Sequence, residues 1–187
     1  MRGTERMERV NIMEYRALGA HEINRELFDA FIRRQVVTKC WRREGGEWVI
    51  RDDPFIDDWT PQDYETLIAG LKETLLAGGL VYGAFDAGKL KGFVAVAPAI
   101  FGGENRYMDL TELHVSADRR HQGVGRALFQ AAGQWAREHG AKKLYISAHS
   151  AVESQAFYRQ MGCVEAKAYE QRHVEAEPFD CQLEVTL

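Results

Sequence analysis

The chain has 187 residues, 45% hydrophobic and 28% charged, with 24 Lys and Arg against 28 Asp and Glu for a net charge of −4. That is an ordinary soluble composition, long enough for one well-buried core, and it holds no basic tract able to displace counterions from duplex nucleic acid. Three cysteines, Cys40, Cys163 and Cys181, form no Cys-x-x-Cys pair. They suit a reducing compartment, read as small buried hydrophobes and offer no metal site. The polar start, Met1-Arg-Gly-Thr-Glu-Arg-Met-Glu8, has no apolar run, which predicts neither a signal peptide nor a membrane span and points to the cytoplasm. With no repeat and no low-complexity stretch, a single domain over 1–187 is expected.

In chain order, a strand is predicted over 10–18 and helices over 22–34 and 60–77. Thr60-Pro61 supplies a capping hydroxyl and a first-turn proline for the second helix, and Gly78-Gly79 ends it. Between these helices, Trp41, Trp48, Phe55 and Trp59 are either an aromatic wall, with Asp57 and Asp58 drawing a cation, or a satellite core with a charged rim. Strands over 80–85 and 90–97 flank Asp86-Ala-Gly-Lys89 as a hairpin. Met108-Asp-Leu-Thr-Glu-Leu-His-Val115 alternates as a further strand, 143–148 is rich in strand formers, and Phe179, Cys181, Leu183, Val185 and Leu187 alternate as a one-face-buried strand. A helix carries the apolar stripe Val124, Leu128, Ala131 and Trp135 up to Gly140; another runs over 151–161 to Gly162.

The most informative stretch is Arg120-His-Gln-Gly-Val-Gly125, between a strand and a helix. Closely spaced glycines let backbone N–H groups turn inward on an anion, and a helix start adds its free donors and the positive end of its dipole. A dinucleotide fingerprint fails at Leu128, where it wants a third glycine; a P-loop fails at Arg126 and Ala127, where it wants Lys and Ser or Thr. What remains, Arg120, Gly123 and Gly125, resembles the Arg/Gln-x-x-Gly-x-Gly/Ala signature of the GCN5-related N-acetyltransferases (GNAT). Phe157-Tyr158-Arg-Gln-Met-Gly162 is similar to that family's Phe/Leu-Tyr-x-x-x-Gly segment, with Ala151 in place of its Asn, Ser154 of its Ala and Cys163 of its Phe. The resemblance covers roughly residues 80–187.

It implies an α/β (α+β) fold: a mixed, mostly antiparallel sheet of six to seven strands, helices on both faces, and a central parallel pair that splays apart. A cofactor core over about 80–187 and an acceptor side over about 20–78 follow. So does acetyl transfer from acetyl-CoA, by direct attack in a ternary complex, to a primary amine of a small molecule or peptide; a homodimer is compatible with it.

Cofactor contacts are expected from Leu113, His114 and Val115, from the loop residues Arg120, His121, Gln122, Gly123, Val124, Gly125, Arg126 and Ala127, and from Ser154. An alkylamine has a pKa near ~10.4, so freeing its lone pair at neutral pH costs about 4 to 5 kcal/mol and calls for a base. Asp109 and Glu112 are the carboxylates at hand; strict alternation puts them on opposite faces of their strand, and Asp109 matches the family's position better. His114 and His149 are reserves. Tyr158 is the expected proton donor to the leaving sulfur, although a Phe-Tyr pair on an amphipathic helix also reads as core. The competing classes are a CoA-binding sensor or assembly module without chemistry and a nucleotide-phosphate enzyme.

Overall fold

The structure is a computed structural model describing residues 12–187, so 10–11 of the first predicted strand, and the polar start, lie outside the described residues. Seven strands form one sheet in the order β1-β4-β5-β6-β7-β9-β8: β1 Glu14–Ala17, β4 Leu80–Asp86, β5 Lys89–Val96, β6 Tyr107–Val115, β7 Lys143–Ala148, β8 Val164–Glu165 and β9 Cys181–Thr186. Every neighbouring pair is antiparallel except β6 and β7. This is the mixed, mostly antiparallel sheet that the family resemblance implies.

Helices cover both faces. On one, α1 (Pro61–Leu76) buries Tyr64, Leu67 and Leu71 against Phe28, Phe93 and Val81. Its start is a reciprocal cap: Asp63 N–H donates to Thr60 Oγ at 3.3 Å, and Thr60 N–H donates to Asp63 Oδ2 at 2.7 Å. On the other, α2 (Val124–Glu138) and α3 (Val152–Gln160) pack Leu128, Phe129, Ala132 and Tyr158 on Val94, Met108 and Ile146. The buried stripe of α2 follows Ala132 and Ala136 rather than Ala131 and Trp135; Trp135 is half-buried and stacks on His139, ring centres 3.9 Å apart. Gly92 of β5 lets α2 start close to the sheet, because a Cβ there would lie 2.9 Å from both Val124 and Leu128 side chains. No helix among the described residues is long and apolar enough to cross a membrane.

Two predictions for the first half are corrected. The helix over 22–34 is only a 3-10 turn, Arg25–Phe28, capped by Asn24. Beyond it the backbone finds tertiary partners in place of a helical ladder: Ile32 N–H donates to Ser116 Oγ (2.9 Å), Ile32 C=O accepts from Ala117 N–H (2.8 Å), and Ala30 C=O accepts from Lys91 (2.8 Å). Tertiary bonds here outweigh helix propensity, which is a weak prior.

The second correction is a hairpin of β2 (Gln35–Glu44) and β3 (Glu47–Asp57), absent from the sequence reading. Its signal was present: Gly45-Gly46, both at positive φ (58° and 89°), joins two runs rich in Val, Ile and Trp. The hairpin docks through Cys40, bridged to Ala151, and through Trp41 N–H donating to Ser150 C=O at 2.8 Å. A short helix, α4 (Gln171–Ala176), precedes β9, and Phe179, predicted within that strand, is exposed just outside it.

Candidate active site

The site begins where β6 and β7 part. They pair at Tyr107 with Lys143, Met108 with Leu144 and Asp109 with Tyr145, and at no residue beyond. β6 stays with β5, whose ladder slips by one residue: Ala95 faces Glu112 but Val96 faces Leu110. This one-residue bulge shifts the phase of β6. Asp109, opposite Tyr145, and Glu112, opposite Ala95, therefore lie on the same side of the sheet, and the expected alternation between them fails. Beyond the bulge, Ser116 N–H donates to Lys91 C=O on the β5 side at 2.8 Å. In an antiparallel ladder the direction of the N–H groups alternates, so those of Leu113 and Val115 point into the gap. Arg120 marks the same edge, its Nε donating to Val115 C=O at 3.2 Å.

At the mouth of the gap sits the glycine loop. His121 (φ 61°) and Gly123 (φ 82°) are both left-handed, and α2 follows at once. Ala127 N–H is the first with a helical acceptor, Gly123 C=O at 3.1 Å. The amides of Val124, Gly125 and Arg126 before it have none. His121, Gln122, Gly123 and Arg126 are exposed, and no side chain lies within 4 Å of where a Cβ on Gly123 would stand. Gln122 folds back, donating from Nε2 to Asp118 C=O at 3.3 Å. The Arg120 guanidinium turns inward, donating from Nη2 to Arg33 C=O at 2.9 Å, so it braces the loop.

Behind the gap lies a cleft of about 340 Å³, at the low end of small-molecule sites (~300–1,000 Å³). It brings together Glu112, Leu113 and His114 of β6, Ser147 and His149 at the end of β7, and Ser154 and Tyr158 of α3. Glu112 Oε2 lies 2.7 Å from His114 Nε2. The His114 ring stands edge-on to Trp59, centres 4.8 Å apart. Tyr158 is buried, and burial first, with Cys163 and Glu112 nearby, pushes its phenol well above the usual value. Such a hydroxyl stays protonated at neutral pH and can donate.

Five lining residues, Arg33, Gln35, Asp57, Glu177 and Asp180, come from outside the expected cofactor and catalytic positions. Arg33, bonded to Asp57, leaves its buried Nε without a partner. Glu177 and Asp180 arrive from the connection between α4 and β9. Burial raises the Asp180 carboxyl pKa, against a hydrogen bond from Ser147 Oγ at 3.1 Å. No local pattern marks Glu177 or Asp180 in the sequence, because only the path of the chain after α4 brings them here.

Two expected features are placed elsewhere. Asp109 is buried outside the cleft, its Oδ2 bonded by His173 Nε2 (2.6 Å) and Arg172 Nη2 (3.2 Å) of α4. The four aromatics do not form one wall. Trp41 and Trp48 line a second cavity of about 130 Å³, Phe55 packs on His149, and Trp59 packs on His114. Ala151 is buried against Cys40 and Val37, away from the cleft.

A sequence model of the acetyltransferase (GNAT) family matches residues 34–163, more than half of the chain. The chain belongs to that family. The match reaches upstream of the expected start near 80, into the β2–β3 hairpin. A search of curated proteins gives no match. Among solved structures, this GNAT chain is similar to nourseothricin acetyltransferase, at 21% identity and TM-score 0.65 over 92% of this chain and 95% of that one. It is also similar to a putative streptothricin acetyltransferase from Bacillus anthracis str. Ames in complex with acetyl coenzyme A, at 16% identity and TM-score 0.68 over 94% and 99%. A third is PaiA N-acetyltransferase from Thermoplasma acidophilum in complex with coenzyme A, at 16% and 0.58 over 94% and 99%. At these identities the likeness speaks for the fold.

Proposed function

We propose that this acetyltransferase moves an acetyl group from acetyl-CoA to a primary amine of a small molecule or peptide, by direct attack with both bound. The observation that carries the reading is one cleft, at the divergence of β6 and β7, holding a carboxylate (Glu112), a free strand amide (Leu113, with that of Val115 facing the same gap) and a buried phenol (Tyr158). The donor fits the residues present. Free amides at 124–126 and the dipole of a fifteen-residue helix suit a pyrophosphate, and the open edge of β6 suits the amides of a pantetheine arm. Acetyl-CoA, when bound, supplies an acetyl group activated as a thioester.

Glu112 takes the proton from the acceptor ammonium, and its contact with His114 offers that proton a way out. The nitrogen then forms its bond to the acetyl carbon as the carbon–sulfur bond breaks. The amides of Leu113 and Val115 hold the carbonyl oxygen while charge gathers on it, Tyr158 gives its proton to the departing sulfur, and the second proton shed by the acylated nitrogen restores the phenol. Asp109, bonded to α4 and outside the cleft, serves structure instead. Arg33, Gln35 and Asp57 form the acceptor side, with the hairpin behind them.

The test is thiol release from acetyl-CoA with a panel of small amines and peptide N-termini, for the native chain and Tyr158→Phe. Expected is turnover that falls about tenfold or more in the variant, with CoA affinity unchanged. CoA binding without thiol release in either form would instead favour a binding module.

A further inference from the structure

The second cavity lies between the β2–β3 hairpin and the β8–β9 side of the sheet, with Trp41, Trp48, Cys163, Cys181 and Leu183 on its walls. Helix α3 divides it from the cleft: Ser154 and Tyr158 line the cleft, whereas Gln155 and Arg159 line the cavity. Burial pushes both thiols up to about 12, so at neutral pH they stay uncharged. Two buried glutamines reach this space, Gln155 and Gln182. Gln182 is satisfied at both ends, its Oε1 accepting from the Tyr145 hydroxyl at 2.6 Å and its Nε2 donating to Ser147 Oγ at 2.9 Å. Gln155, only 5% exposed, is satisfied at one. Its Nε2 donates to the C=O of His149 (2.9 Å) and of Ala148 (3.4 Å), while its Oε1 accepts no hydrogen bond among the described residues. A buried carbonyl without a donor is costly, and this one belongs to a cavity wall.

We propose that this cavity binds a neutral, single-ring aromatic molecule of the phenol type, whose one donor bonds Gln155 Oε1. Size sets the single ring: an apolar cavity of roughly 150 Å³ holds benzene, and this one measures about 130 Å³. The two indoles favour an aromatic occupant over an aliphatic one, because ring pairs gain more than their buried area. Charge at the rim sets neutrality. Arg159, over the Trp41 ring at 4.6 Å, opposes a cation; Glu165, already held by Arg43 at 2.6 Å and by Trp48 Nε1 at 3.3 Å, opposes an anion. The unpartnered acceptor sets the donor.

The experiment titrates the full chain with three probes: phenol; toluene, which keeps the ring and lacks the donor; and cyclohexanol, which keeps the donor and lacks the aromatic ring. Isothermal titration is expected to give phenol a Kd of about 1 mM or lower, at least about fivefold below both others, as one buried hydrogen bond or one ring contact allows. The indole N–H NMR signals of Trp41 and Trp48 should shift with phenol while those of Trp59 and Trp135 stay. Cys163→Met fills the cavity from its wall, and Val164→Trp covers its rim from a residue that is 59% exposed, so the second variant leaves the core alone. Each variant that melts as a folded protein should bind phenol about tenfold or more weakly. Absence of phenol binding, phenol no tighter than toluene or cyclohexanol, or native phenol affinity in folded Val164→Trp would overturn the proposal. So would a shift at Trp59 alone, which packs on His114 and would place phenol in the cleft.

Discussion

The two walls of the cleft are held in different ways. The wall of β6, α2 and α3 rests on its own regular hydrogen bonds and on a core of Leu128, Phe129 and Tyr158. The facing segment, residues 29–35, has almost no regular structure and is held by side chains from elsewhere: Ser116, Lys91 and Arg120 all bond its backbone. Those three lie on or next to β5, β6 and the glycine loop, so the second wall takes its position from the first. A substitution in the regular wall should therefore disturb both, whereas one at the bracing contacts should loosen only the acceptor side.

Glu112→Gln tests the regular wall at its chemical centre. Removing a general base costs about 10²- to 10⁴-fold in kcat, with CoA affinity unchanged; steady-state thiol release against a CoA titration checks both. Loss of CoA binding instead would show that Glu112 supports the strand rather than the reaction.

Glu184 tests the same wall as structure. It is buried on β9, bonded by Lys143 at 2.8 Å, by Lys167 N–H at 3.1 Å and by Tyr107. Desolvation raises its carboxyl pKa, but the bonds from Lys143 and Tyr107 outweigh that and hold it below the ordinary value. Glu184→Gln leaves Lys143, which also bonds Asn105 Oδ1 at 3.1 Å, without its charge partner and should cost about 3 kcal/mol in denaturant unfolding. A folded-state pKa that is lowered contributes stability above the unfolded-state value of 4.5, lost as pH falls through the folded one. The native chain should lose stability in acid more steeply than the variant.

Ser116→Ala tests the brace. It leaves the Ile32 N–H without its acceptor and should cost about 1–3 kcal/mol. Hydrogen exchange should speed up at 29–35 and stay unchanged in α2. Equal acceleration in both would contradict the division between the walls.

The same division explains what could be read from the residues alone. Around the glycine loop each local signal agrees with its neighbours: an alternating strand, a turn needing positive φ at Gly123, then a helical stripe. The parallel pair and its splay are what the family resemblance carried by that loop implies. Residues 22–34 carry helix-like spacing, but their conformation is decided by partners more than fifty residues away, such as Ser116 and Lys91. The bulge of β6 was hidden for a similar reason, since a single inserted residue shows only in the pairing of Ala95 and Val96. Gly45-Gly46 is a different case, because two glycines between strand-forming runs are a turn signal legible in the sequence itself.

The central claim is that coenzyme A lies along the open edge of β6 with its pyrophosphate at the start of α2. Gly125 stands at that junction; a Cβ on it would lie 3.2 Å from Phe157 and 3.5 Å from Val115. Isothermal titration of coenzyme A into the native chain and Gly125→Trp is the direct measurement, with thermal melting to show that the variant is folded. The account predicts a folded variant whose affinity is at least ~100-fold weaker. A folded variant that binds coenzyme A as tightly as the native chain would contradict it.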